Sequence, residues 1–396
     1  MKFWHSLFLI CILALLSCKT VPNSKSQNNT QNQQIENQSQ QKKLTLLFAG
    51  DIMAHRPNYS MQDYSSIWED IKPLVSSCDF SFANIESPVD DTLPFSPYPH
   101  FNMKSTYPEA AIDAGFNVFS LVNNHSNDQG LSGIKNTLKW ADAVEEKTKD
   151  KERQVFFAGL KKSSDEEIGY KIINKNGWTI IFCAITEILN ERTYVDYMNY
   201  VRPTDNERNL FKERIKKIKK ENACDLFILS VHCSMPEYVR NVPESFRKYY
   251  YELLDCGVDI VWANHPHVVL EREFVGKKTD AYFSKLILYA NGNTISAQRH
   301  EPQFLSPETE RDFTGDGLLY KLTLSKKNEN STPKIVQSEA HYITTYITTA
   351  WTFIVKFLDD NFIRYLKKHG RNDWASYIKM RKKFMEKTPI KKTLRD

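Results

Sequence analysis

The chain has 396 residues, 26% of them charged and 12% aromatic, with a formal net charge of +5. That is enough apolar mass for one large domain or two ordinary ones, and so mild a charge on so long a chain argues against nucleic-acid binding. Neither GxxxxGK(S/T) nor GxGxxG occurs, so a nucleotide cofactor has no motif behind it. Two of the seven cysteines, Cys11 and Cys18, lie in the first eighteen residues. The other five (Cys78, Cys183, Cys224, Cys233 and Cys256) are irregularly spaced without a CxxC pair, which predicts small buried apolar residues rather than a disulfide or zinc framework.

Residues 1–17 read as a signal peptide: Lys2 supplies the charge, and Leu7–Leu16 is an apolar core too short to span a bilayer comfortably. Leu15-Leu16-Ser17-Cys18 resembles a bacterial lipobox. The resemblance implies lipidation of Cys18 and anchoring to the cell membrane or outer membrane. A plain signal peptide or uncleaved anchor is the alternative, and either takes the protein out of the cytoplasm. Residues 18–43 are dominated by Asn, Gln and Ser, a composition that cannot offset chain entropy and predicts a disordered tether.

From Leu44 onward, short apolar runs alternate with helical patterns, the signature of an α/β fold. Strands are expected at Leu44–Gly50, Cys78–Ala83, Val118–Val122, Val155–Ala158, Leu226–Val231, Val258–Ala263 and Lys285–Ala290. A hairpin is expected around Asn176-Gly177, with arms Tyr170–Ile173 and Trp178–Ile185. Helices are expected at Ser66–Val75, Pro108–Gly115, Gly133–Glu145, Asp205–Glu221 and Ser245–Cys256. After Asp316 the pattern changes to strands at Leu318–Leu324 and Lys334–Tyr346, then a helical, basic tail from Trp351. The expected division is a domain over 44–325 and a C-terminal extension over 326–396. The basic tail reads as a solvated helical face, with contact to an anionic lipid or polymer as the sharper alternative.

Six apolar runs end in polar clusters: Asp51 with His55, Asn84 with Glu86, Asn124 with His125, His232, His265 with His267, and Asn293. Open α/β sheets place their ligands at the carboxyl ends of strands. Taken singly, Asp51 could cap a turn, Asn123-Asn124 is turn-like, and His232 could be a core histidine. Together, Asp, Glu, Asn and His are the oxygen and nitrogen donors that bind Zn, Mn or Fe, and one or two such ions could activate water for hydrolysis.

These residues carry a family resemblance. Gly-Asp-x-Met-x-His at 50–55, Asn-x-Glu at 84–86, Asn-Asn-His-x-x-Asp-x-Gly at 123–130 and His-Pro-His at 265–267 resemble the bacterial capsule synthesis protein CapA family over roughly residues 44–296. That family in turn resembles the calcineurin-like metallophosphoesterases. The resemblance implies a four-layer α/β/β/α sandwich around a metal site. Carried over by position, it implies Asp51, His55, Glu86, Asn124, His232, His265 and His267 as ligands of one or two divalent ions. Asp51 and His125 would be catalytic, and Asn84, Asn123, Glu237 and Asn293 would face substrate. The chain departs from the family pattern at Cys233-Ser234-Met235, at Asn264 and at Ala290-Asn291-Gly292.

The function implied is that of a cell-envelope lipoprotein acting as a metal-dependent hydrolase, phosphoesterase-like or cleaving polyglutamate amide bonds. Its partner would be an anionic polymer, poly-γ-glutamate or polysaccharide, alongside other capsule-synthesis proteins. A non-catalytic polymer-binding or export component, and a degenerate structural paralogue, are the alternatives.

Overall fold

The computed structural model describes residues 42–280, 282–328 and 331–396. The expected leader, Cys18 and the tether up to residue 41 lie outside these residues. Lys42 and Lys43, expected as the tether's end, already belong to the first strand.

In chain order the strands are β1 (Lys42–Ile52), β2 (Phe80–Ile85), β3 (Val118–Ser120), β4 (Phe156–Ala158), β5 (Lys171–Lys175), β6 (Trp178–Thr186), β7 (Leu226–His232) and β8 (Ile260–Asn264). They continue with β9 (Arg272–Lys277), β10 (Lys285–Leu288), β11 (Asn293–Ile295), β12 (Asp316–Lys326), β13 (Lys334–Ile347), β14 (Phe353–Phe357) and β15 (Ile390–Arg395). The longer helices are α1 (Thr106–Asp113), α2 (Gly130–Thr148), α3 (Asp205–Glu221), α4 (Glu244–Asp255), α5 (Asp360–Lys368) and α6 (Asn372–Glu386).

One sheet runs β14-β13-β12-β1-β2-β3-β4, with β11 also paired to β1, and the other runs β15-β9-β10-β8-β7-β6-β5. β1 to β4 are mutually parallel, as are β6, β7, β8 and β10. Every residue of β2 and of β7 is buried, as parallel strands covered on both faces require. The sheets meet face to face: the Trp262 indole of β8 donates to the Ala49 carbonyl of β1 at 2.8 Å, and its ring lies 6.0 Å from both Phe48 and Phe82. Helices cover the outer faces, with Trp140 of α2 on Phe157 and Tyr250 of α4 on Tyr289. The result is the α/β sandwich expected.

Parallel strands joined by crossovers finish at the same edge, so the two parallel sets deliver their carboxyl ends to one end of the sandwich. Gly50 is what lets β1 reach that end beside β11. A Cβ there would fall 1.8 Å from the Gly292 carbonyl oxygen, the atom that accepts the Asp51 N–H at 3.1 Å. The Asn176-Gly177 turn has φ of 52° and 74°, the left-handed pair that a two-residue hairpin needs.

Two expectations about elements fail. Ser66–Val75 is a 3₁₀ turn, Ser65–Ile67, followed by a short helix, Lys72–Ser76; Pro73 lacks the N–H a continuous helix would use and sits instead in the first turn of the second piece. The tail from Trp351 is not helical throughout. β14 extends the first sheet beside β13, and β15 pairs in parallel with β9 at the edge of the second. Residues 334–395 therefore supply strands to both sheets, and the boundary expected at 325/326 falls at the end of β12 within a sheet. Cys78, Cys183 and Cys233 are buried, Cys224 and Cys256 are partly so, and all five are free thiols.

Candidate metal centre

Asp51 near the end of β1, Asn84 in β2 and Glu86 just after it enter the cluster from the first sheet. His232 ends β7, and His265 and His267 follow β8 in the second. All six are nearly inaccessible to solvent. His265 and His267 adopt φ of 104° and 56°, a region that non-glycine residues occupy only when their surroundings impose it. With Pro266 between them, the bend keeps both rings buried at the strand's end.

Two donor sets form there: Glu86, His265 and His267, and Asp51, Glu86 and His232. Within each set, one ligand atom per residue lies within 4.8 Å of the others. Glu86 belongs to both. Its Oε1 is 3.5 Å from His267 Nε2 and 3.7 Å from His232 Nε2, yet has no hydrogen-bond partner. Donors that each bind one ion at about 2.0–2.2 Å lie a few ångströms apart in this way. His265 Nδ1 is likewise buried without a partner.

The surrounding amides orient the rings. Asn293 donates through Nδ2 to the Thr314 carbonyl at 2.9 Å, which turns its Oδ1 toward His267 Nδ1 at 3.0 Å. Nδ1 of His267 therefore carries the proton, and Nε2 is bare toward Glu86. Asn124 Oδ1 meets His232 Nε2 at 2.8 Å. Asn84 Nδ2 donates to Asp51 Oδ1 at 2.8 Å and also lies 3.4 Å from Glu86 Oε2.

Electrostatics follow from packing acids and imidazoles together. Burial, then the charges of Asp51 and Glu237, hold the Glu86 carboxyl well above its ordinary value. Burial, then His267 and His125, push His55 and His265 down to about 3. Burial and the rings of His265 and His267 push His232 well down. His267 moves the other way: burial opposes its charge, but the hydrogen bond to Asp51 and that residue's charge outweigh burial and raise it. The neutral imidazoles of His232 and His265 are ligand-ready, and a divalent cation beside Asp51 would let the Glu86 carboxyl, which burial and Asp51 hold back, give up its proton. The residues fit a metal ion.

A cavity of about 760 Å³ opens beside the cluster, lined by His267, His125, His55, Phe101 and Glu237 among others. His125 Nδ1 lies 2.7 Å from Asp128 Oδ2, and Asn190 Nδ2 lies 3.2 Å and 3.3 Å from the two ring nitrogens. Asp128 holds Nδ1 as the protonated nitrogen, so Nε2 is the accepting ring atom, with Asn190 as its donor.

The structure departs from the expected roles at four positions, the first being Asn84, which is buried with its amide on Asp51 and Glu86 and does not line the cavity. His55 enters neither donor set: the chain turns after β1 into the short helix Arg56–Tyr59, and the His55 ring packs on Phe101 while its Nδ1 accepts from the Ala297 N–H at 3.3 Å. Asn123 does not face the cavity, because its amide is spent on the Ile85 carbonyl and the His125 N–H. Asn293 holds His267 instead of lining the cavity. Asp128 lies in the Asn-Asn-His-x-x-Asp-x-Gly motif without an assigned role, and Asn190 is not expected at the site at all. Asp128 stands three positions after His125, where an acid also reads as an ordinary turn residue, and Asn190 comes from a loop with no pattern at all.

The family model described as Bacterial capsule synthesis protein PGA_cap matches residues 45–298. The chain belongs to the bacterial capsule synthesis protein family. Within it, the chain is similar to Capsule biosynthesis protein CapA of Bacillus anthracis, 27% identical over 272 residues, 65% of this chain and 60% of that protein. It is also similar to PGA biosynthesis protein CapA of Bacillus subtilis (strain 168), 25% identical over 264 residues, 64% of each chain. The chain thus spans less than two thirds of the length of these relatives. Among solved structures, a hypothetical protein from Thermus thermophilus aligns with a TM-score of 0.43 at 15% identity, covering 76% of this chain and 98% of its own.

Proposed function

We propose that this family member is a lipid-anchored cell-envelope protein whose buried cluster is a divalent-metal centre for hydrolysis of a bond in an anionic, capsule-type polymer. The observation that carries the reading is the pair of donor sets meeting at Glu86, whose Oε1 is buried without a partner. Membership of the family and the relatives' names support capsule polymer as the setting, with poly-γ-glutamate the first candidate. The lipobox-like Leu15–Cys18 supports anchoring through Cys18.

One or two ions, of zinc, manganese or iron, would be held by Asp51, Glu86, Asn124, His232, His265 and His267, and would supply Lewis acidity and an activated water. The chain's own residues do the rest. Asn84 and Asn293 fix Asp51 and His267, and Glu86 joins the two donor sets. His125, oriented by Asp128, takes a proton at Nε2 and gives it to the leaving group. The cavity seats the polymer segment beside these groups.

The test is metal content and turnover of purified protein with a generic phosphoester and with poly-γ-glutamate. Stoichiometric metal and turnover, both reduced in His265→Ala and turnover lost in Asp51→Asn, are expected. Protein that carries no stoichiometric metal and is unchanged by His265→Ala would end the hydrolase reading and leave a polymer-binding role. For the anchor, Cys18→Ala is expected to move the protein from the membrane fraction to the soluble one.

A further inference from the structure

One wall of the cavity lies beyond the residues that the family model matches, 45–298. It is built by the segment 299–315, and helix α6 clamps that segment from behind. Tyr377 donates to Asp312 Oδ1 at 2.7 Å, and Arg381 donates to the Pro307 carbonyl at 2.6 Å and lies 4.0 Å over the Phe313 ring. Phe304 packs on Trp374 and Tyr377. Within the segment, Thr309 and Asp312 close a capping box over Glu310–Phe313. So short a loop is held rigid at several points, and it presents Arg311 at the cavity.

Arg311 is exposed, and among the described residues no carboxylate lies within ion-pair distance of it. Its Nη1 donates to the Tyr238 hydroxyl at 3.3 Å, and its guanidinium lies 5.0 Å from the centre of the Tyr238 ring. That ring stands 6.4 Å from His267. The Arg311 guanidinium thus lies over an aromatic ring on the cavity wall, and that ring stands near a candidate metal ligand. Arginine in such a setting recognises carboxylate or phosphate oxygens by paired N–H donors. The acids that share the cavity are Glu237 and Glu301, and the latter lies 3.9 Å from His300.

We propose that Arg311 is a specificity-determining residue that binds an oxyanion of the substrate next to the bond at the metal centre, and that the C-terminal helix α6 exists in part to hold it there. This rests on the cavity being the substrate site. The required ligand is a chain unit bearing a carboxylate or phosphate beside the scissile bond, not a neutral sugar.

Calorimetric titration of the full-length, metal-loaded protein tests it, with a short γ-linked glutamate oligomer, its fully amidated counterpart and inorganic phosphate as probes. The wild-type protein is expected to bind the charged oligomer, or phosphate, at least tenfold more tightly than the amidated one. Arg311→Ala should abolish that preference with metal content unchanged, and Arg311→Lys should keep part of it. Loss of phosphate binding alone assigns a phosphate, and loss of oligomer binding alone a carboxylate. Equal binding of the two oligomers without phosphate binding, binding of no probe, or a preference that survives in Arg311→Ala overturns the proposal. Charge preference lost with Arg311 in a protein that holds no metal would uphold the proposal while ending the metal-centre reading.

Discussion

Two buried polar clusters in this protein contrast in how their charges are balanced. Around Asp316, at the start of β12, Arg299 and Arg381 each give a guanidinium to its carboxylate, and Thr344 and Tyr377 join in. Asp312 accepts from Tyr377, the Thr309 hydroxyl and the Gln303 N–H. All four carboxylate oxygens have partners, and two arginines face two aspartates. At the candidate metal centre, Asp51 and Glu86 face His232, His265 and His267, of which the first two are driven toward the neutral form, and Glu86 Oε1 has no donor. In the first cluster every carboxylate oxygen is met by a cation or a donor, although Arg299 Nε and Arg381 Nη2 stay without partners, and it acts as a structural lock; the second leaves a carboxylate oxygen and an imidazole nitrogen bare, the atoms that a cation would take.

The largest effect is expected at the lock. Arg381→Met removes one partner and leaves Asp316 under-compensated, at a cost of about 3–5 kcal/mol in urea unfolding. Metal content of the folded fraction should stay the same. If metal is lost in parallel, the two clusters are one unit and the contrast fails.

At the centre, Asn293→Ala frees the His267 ring to turn and should weaken metal affinity about 10–100-fold in a competitive chelator titration. Unchanged affinity would show that Asp51 alone orients His267.

The contrast also predicts a pH signature. In metal-free protein the Glu86 pKa is raised above its ordinary 4.5, so its stabilising contribution is complete below that value and is lost as pH rises through the folded-state pKa. Metal-free protein should lose stability across that interval in thermal melts, and Glu86→Gln should flatten the slope. Bound metal should remove it as well, because the ion takes the proton's place. The smallest effect is expected for His55→Ala, which should leave metal stoichiometry untouched because His55 stands outside both donor sets. A drop in bound metal would restore it as a ligand.

Much of the fold was legible locally. Helix α3 runs Asp205–Glu221 as its charge and apolar spacing predict, with the Thr204 hydroxyl accepting from the Glu207 N–H at its start. β2, β7 and β8 announce themselves as apolar runs that end in polar residues. β15 did not, because an edge strand is rich in lysine where no neighbour covers it, and Ile-Lys-Lys-Thr-Leu-Arg then reads as part of a basic helix. Nor did β14, whose pairing with β13 decides its conformation.

The sequence by itself determined which donors are present and that they end strands, since an Asp, a Glu and paired histidines after apolar runs follow from local pattern. Only the tertiary structure decided which of them meet. Whether His55 or Asn124 approaches His232 depends on how loops leave two different sheets, and the spacing along the chain does not encode it. Likewise, nothing local ties Arg311 to Tyr238, 73 positions away, or Asp316 to Arg381. Those contacts exist because the last helix packs behind the cavity wall, and packing over such distances in the chain is set by the whole core.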